Sequence, residues 1–137
     1  MLRIVKDIAF LKNKAEVATE NDIEIALKLQ EALVENRSRC VGMAANMIGY
    51  NKAIIVFEDE NGSLILMLNP KIVSTSKEYY KAYEGCLSLD GKRESIRYNK
   101  VKVEYYDLCF NKKFKTYQGF TAQIIQHEID HLNGIII

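Results

Sequence analysis

His127 and His131 are the two histidines of this chain, and they stand four residues apart with Glu128 directly after the first. On an α-helix, residues i and i+4 lie one turn apart on the same face, so both imidazoles would project toward a common point. Two imidazoles so placed bind a divalent metal, and a glutamate beside the first can act as general base on water. This is the HExxH arrangement of metal hydrolases. Ala122, Ile125, Ile129 and Leu132 fall on the other side of the same helix and would anchor it in a core.

A catalytic metal site takes three protein ligands and leaves one position for water or substrate. Residues 132–137 contain no His, Cys, Asp or Glu, so the third ligand is expected upstream. Cys86, in Glu84-Gly85-Cys86-Leu87-Ser88, is the first choice, because Gly85 permits close backbone approach and a thiolate with two imidazoles suits Zn²⁺, Fe²⁺ or Ni²⁺. Cys40 and Cys109 compete, and Cys109, after a half-buried strand pattern, reads more simply as core. Three widely spaced cysteines without a CxxC pair do not make a disulfide framework, which points to a reducing, cytoplasmic setting.

The elements that must position these groups belong to a chain of 137 residues, 48% hydrophobic and 27% charged, which reads as one domain over 1–137. A net charge of +1 supplies no global field for a polyanion or a membrane surface, so direct nucleic-acid binding is not expected. The opening stretch MLRIVKDIAFL is interrupted by Arg3, Lys6 and Asp7 and lacks the apolar run of a secretory signal. The longest apolar runs are too short to span a bilayer. The spacing predicts a helix over 22–36 with Thr19 and Asp22 as a capping box. A small-residue segment over 41–50, bracketed by Gly42 and Gly49, suits a loop or edge where something approaches the backbone. Strands are predicted at 53–57 and 64–68 about an Asn61-Gly62 turn, with Asn69-Pro70 ending the second. Extended chain follows over 71–83, then strands at 101–105 and 114–117 about a turn at 111–113, and a last helix from Gly119 and Thr121 to Asn133-Gly134. The pattern is α+β.

Three of these segments together carry a resemblance. GMAANMIG over 42–49, EGCLS over 84–88 and QHEIDH over 126–131 are similar, in order and spacing, to the three motifs of peptide deformylases, and Asn69-Pro70 and Arg97 also fall where that family has similar residues. The resemblance implies mostly antiparallel β-sheets packed around a central HExxH helix, with a helix near the N-terminus. It implies that Cys86, His127 and His131 hold one divalent metal ion, Fe²⁺ in the cell and Zn²⁺, Ni²⁺ or Co²⁺ in purified protein. By the same resemblance, water activated by the metal, with Glu128 as base, removes the formyl group from the N-terminal methionine of a nascent polypeptide, a step of protein biosynthesis. The backbone N–H of Leu87 would serve the oxyanion, Gly42 and Met43 would contact the substrate, Arg97 and Asp130 would form an ion pair that steadies the metal helix, and Glu84 would orient a ligand. The partner implied is an N-formyl-Met peptide or nascent chain, with room for transient contact with the ribosome and no membrane.

The sequence departs from that pattern at one chemically important position. Met47 stands where the family carries a glutamine that donates to the oxyanion, and a thioether has no hydrogen to donate. Asn46 is adjacent, but neighbouring side chains of an extended segment point to opposite faces. Leu89-Asp90 and Cys40 also depart from the usual residues. Beside a working deformylase, two alternatives therefore stand: a metal-binding paralogue with weak, absent or shifted N-acyl amidase activity, and a non-enzymatic binder of peptide N-termini.

Overall fold

Residues 54–57, Ile-Ile-Val-Phe, form an uninterrupted apolar run, and such a run is stable as a strand when both faces of its sheet are covered. The computed structural model, which describes residues 3–137, shows that arrangement; Met1 and Leu2 of the N-terminal stretch lie outside the described residues. A short helix α1 (Ile8–Leu11) and a 3-10 turn at Glu20–Asp22 precede α2 (Ile23–Glu35). Then come β1 (Gly42–Ala44), a 3-10 turn at Ala45–Ile48, β2 (Ile54–Glu58), β3 (Leu64–Thr75), β4 (Tyr79–Cys86), β5 (Leu89–Tyr98), β6 (Lys100–Tyr106), β7 (Lys112–Gln118) and α3 (Gly119–Leu132). Strands pair antiparallel in the order β1-β2-β3-β6-β7, and β4 and β5 form a separate two-stranded sheet. This is the α+β architecture expected.

The two faces of the five-stranded sheet bury different helices. Ile54, Val56 and Leu68 pack with Leu29 and Leu33 of α2. Ile55, Phe57, Met67, Val101 and Val103 pack with Ile125, Ile129 and Leu132 of α3. The alternation of β2 thus splits one apolar run between two cores, and α3 lies under the sheet. Thr19 and Asp22 form the expected capping box ahead of α2.

Two expectations are corrected here. Asn69-Pro70 does not end β3, which runs on to Thr75. The register against β6 shifts between Leu68 and Lys71, so the proline, which has no N–H for the ladder, sits in a bulge. Asn69 adopts φ 52° there, and its side chain accepts from Ala18 N and donates to Ala18 O, tying the N-terminal segment to the sheet. The turn expected at 111–113 falls instead at 107–111. Asp107 Oδ1 accepts from the backbone N–H groups of Cys109 and Asn111, an Asx turn that the pattern reading passed over. Cys109 is therefore exposed in a turn and not part of the core.

The end of α3 is closed by a Schellman motif: Gly134 N donates to His131 O and Ile135 N to Asp130 O, with Gly134 at φ 75°. A β-carbon on Gly134 would come within 2.2 Å of Lys12 O. Gly134→Ala is expected to cost about 3 kcal/mol or more, from the left-handed backbone and from overpacking together. A lowered denaturant midpoint with an unchanged m-value would show it.

Candidate metal centre

α3 carries both histidines into the interior, with His127, Glu128 and His131 all buried. The Nε2 atoms of the two imidazoles stand 3.0 Å apart, with the rings edge to face at 77°. β4 ends at Cys86, and ligand atoms of Cys86, His127 and His131 all lie within 4.8 Å of one another. Ser88 N donates to Cys86 Sγ at 3.4 Å. Among the described residues, this is the group with the composition and spacing of a metal site. Cys40 lines the adjoining cleft without joining that group; burial and then the charge of Glu128 push its thiol up to about 11.

The donor set fits a metal on its own chemistry. His127 Nδ1 lies 2.8 Å from Glu84 Oε1; donating its proton there leaves the Nε2 lone pair turned toward His131 Nε2. Two nitrogen lone pairs at 3.0 Å repel unless a proton or a cation lies between them. With protons alone, burial would lower both groups. Hydrogen bonds to Cys86 and Glu84 instead raise His127 to about 10, and burial together with the neighbouring His127 charge brings His131 down to about 3. One positive charge shared by two converging imidazoles is the arrangement that a cation replaces.

A buried ion network holds the first histidine and its helix. Arg97 donates to both carboxylate oxygens of Glu84 through Nε and, at 2.6 Å, to Oε1 through Nη2. Its Nη1 donates to Asp130 Oδ2 at 2.6 Å. Burial pushes the Glu84 carboxyl up, but His127 and Arg97 outweigh it and bring it down to about 2. The Arg97–Asp130 pair is the one expected from sequence. The Glu84–Arg97 pair was not foreseen, because it depends on β4 and β5 pairing as a hairpin against α3. Such a network fixes geometry more than it adds stability. Gln126 was also missed: its side chain accepts from Tyr98 N and donates to Tyr98 O, joining α3 to the end of β5. A buried glutamine next to HExxH was the available signal.

Glu128 faces the cleft. Its Oε1 is buried without a partner among the described residues, and burial pushes its carboxyl up to about 7, a value suited to exchanging protons at neutral pH. A cleft of about 240 Å³ lined by Gly42, Tyr83, Phe120, Ile124, His127 and Glu128 adjoins another of about 330 Å³ lined by Met47, Cys86, Leu87, His127 and Glu128. Leu87 is thus beside the ligands. Gly42 is where α3 approaches the backbone: a β-carbon there would meet Ile124 Cγ2 at 2.8 Å and Glu128 Oε2 at 3.0 Å. Met43 is fully buried in the α2 core, so a substrate would meet its backbone and not its side chain.

Met47 does turn toward the ligands. Its Sδ accepts from Ala44 N at 3.4 Å and lies 4.0 Å from Cys86 Sγ. Asn46 points away, donating through Nδ2 to His131 O at 3.0 Å. The neighbouring amide therefore cannot stand in for a glutamine at the site; it secures the end of the histidine helix.

Comparison with known proteins places this geometry. The sequence profile described as polypeptide deformylase matches residues 1–137. The chain is 51% identical over 134 residues to a protein of Clostridium beijerinckii named peptide deformylase, covering 98% of this chain and 97% of that one. It is 38% identical to a protein of the same name from Symbiobacterium thermophilum, covering 99% of this chain but 64% of that one. Among solved structures, the class I type b peptide deformylase of Acinetobacter baumannii superposes with a TM-score of 0.89 at 31% identity, over 99% of this chain and 96% of that one. A structure of the same Acinetobacter protein with Met-Ala-Ser bound gives 0.87 at 30% identity, over 99% and 95%.

Proposed function

The chain belongs to the peptide deformylase family, and from that premise we propose that it is a metal-dependent amidase that removes the N-formyl group from the N-terminal methionine of nascent polypeptides. The observation that carries the reading is the convergence of Cys86, His127 and His131 beside a buried carboxylate, Glu128, whose Oε1 has no partner among the described residues. A purely structural site has no use for such a base. We take residues 1–137 as one catalytic domain and the cytoplasm as its setting. No helix among the described residues is long and apolar enough to cross a membrane.

Cys86, His127 and His131 would hold one divalent ion, Fe²⁺ in the cell and Zn²⁺, Ni²⁺ or Co²⁺ in purified protein. When bound, such an ion supplies a Lewis acid and brings the pKa of water down toward about 7. Glu128 takes a proton from water in the cleft, and the resulting nucleophile attacks the formyl carbon. Glu128 then returns the proton to the leaving amine nitrogen, and formate departs. The N–H of Leu87 is the backbone donor offered to the oxyanion. β1 is an edge strand, and Gly42 opens its backbone onto the cleft, so an extended peptide can lie along it. The Met-Ala-Ser bound to the Acinetobacter protein supports a peptide beginning with methionine. Glu84, Arg97 and Asp130 act on this chemistry by holding His127 and α3. A nascent chain is the partner, met through transient contact with the ribosome.

One observation favours a second reading. With Met47 Sδ facing Cys86 in place of an amide donor, the chain would be a paralogue whose turnover is weak or whose N-acyl substrate has shifted. Protein loaded anaerobically with Fe²⁺ or Ni²⁺ is expected to release formate from a formyl-Met peptide. No release at one equivalent of bound metal would sink the deformylase reading. Cys86→Ser is expected to fall well below one equivalent under the same loading; undiminished metal would remove Cys86 from the ligand set.

A further inference from the structure

The side chain of Met47 is held in a defined orientation on both sides. The backbone N–H of Ala44 reaches its Sδ at 3.4 Å, and the Cys86 thiol reaches the same sulfur at 4.0 Å. The two sulfurs thus face each other across 4.0 Å. A cation placed between them would satisfy both, as well as the two imidazole nitrogens that already converge at 3.0 Å. Met47 and Cys86 line the same cleft as His127, which places thioether, thiol and imidazole around one space.

Resting on the metal-centre reading above, we infer that Met47 is a fourth, thioether donor to this site, and that the chain holds a soft ion, Cu⁺, more tightly than the same site without that sulfur. The physical basis is ligand softness. A thioether adds little to the binding of Zn²⁺, which is served by thiolate and imidazole, but it is a favoured donor for Cu⁺; two histidines, a cysteine and a methionine are the donors of electron-transfer copper sites. A glutamine at residue 47 would offer a hard oxygen or an N–H instead. The substitution that weakens an oxyanion donor thus creates a soft-metal ligand from the same side chain.

A core-filling role predicts a different behaviour, because Met47 also packs in the α2 cluster and leucine would fill that space nearly as well. The test uses full-length apo-protein under anaerobic conditions, titrated with Cu⁺ and separately with Zn²⁺ against a chromophoric chelator, for the natural sequence and Met47→Leu. We expect Met47→Leu to bind Cu⁺ about 10-fold or more weakly while Zn²⁺ affinity changes by no more than about 3-fold. Selenomethionine-substituted protein loaded with Cu⁺ should show copper–selenium scattering at the copper edge, and Met47→Leu should lose it. Met43 and Met67, which are buried in the two cores, would not contribute. Equal Cu⁺ affinity in both proteins, or no copper–selenium scattering, overturns the thioether donor and leaves the three-ligand site standing. Failure of the natural sequence to hold either ion overturns the metal-centre reading itself, and the inference with it.

Discussion

Replacing Glu128 by glutamine will leave the metal bound and lower turnover of a formyl-Met peptide by about 10²–10⁴-fold, the usual contribution of a positioned general base. The two residues are nearly the same size, and Glu128 touches its surroundings mainly by packing, with Oε1 unpartnered. The change therefore removes a proton acceptor without opening a cavity. Burial places its carboxyl at about 7, so at neutral pH it both accepts and returns a proton; an amide does neither. Metal content by elemental analysis and the circular dichroism spectrum should match the natural protein. The base assignment fails if Glu128→Gln, fully loaded with metal, turns over within a few-fold of the natural chain.

The second large effect is a gain. Met47→Gln is expected to raise kcat by up to about 10²–10³, because that is what one oxyanion donor is worth. The site is already built to orient the amide. Ala44 N–H, which now points at Met47 Sδ, would meet the glutamine Oε1 and leave the NH₂ group turned to the cleft, beside Cys86 and Leu87. KM should change less than kcat, since the new hydrogen bond strengthens as charge develops on the substrate oxygen. Met47→Leu serves as the control and should show no gain. An unchanged kcat in Met47→Gln would mean that the oxyanion is served without any donor at residue 47. The same variant also bears on metal choice: if the thioether is a ligand, Met47→Gln should lose the preference for Cu⁺ while it gains turnover. One residue would then govern two properties in opposite directions.

Much of the site was legible before any coordinates, for a local reason. Helical geometry carries the relation of His127, Glu128 and His131 entirely within one turn, so four residues of spacing suffice to put both imidazoles on one face. The same holds for the capping box at Thr19 and Asp22, the Asn61-Gly62 turn and the glycine stop of α3, each a matter of a few adjacent residues. The bulge at Asn69-Pro70 and the turn at 107–111 were misplaced because a local signal, a proline or a short polar run, was outweighed elsewhere. In the bulge, Asn69 finds partners on Ala18, 51 residues away in sequence. In the turn, the Asp107 side chain sets the bend five residues before the lysines begin.

What the sequence by itself determined is the chemistry of the donors: two imidazoles and a carboxylate on one helix, three cysteines available upstream, and a thioether where an amide was expected. Tertiary structure decided which of them meet. Only the packing of α3 under the sheet, with the β4–β5 hairpin laid across it, selects Cys86 over Cys40 and Cys109, because ligand distance depends on how separate elements are stacked and no local period encodes that. The same packing buries Arg97 between Glu84 and Asp130, which turned an expected pair into the network that aims His127. It also set the Met47 sulfur 4.0 Å from the Cys86 thiol. In the sequence these two residues are 39 apart, and nothing in their spacing says that they touch.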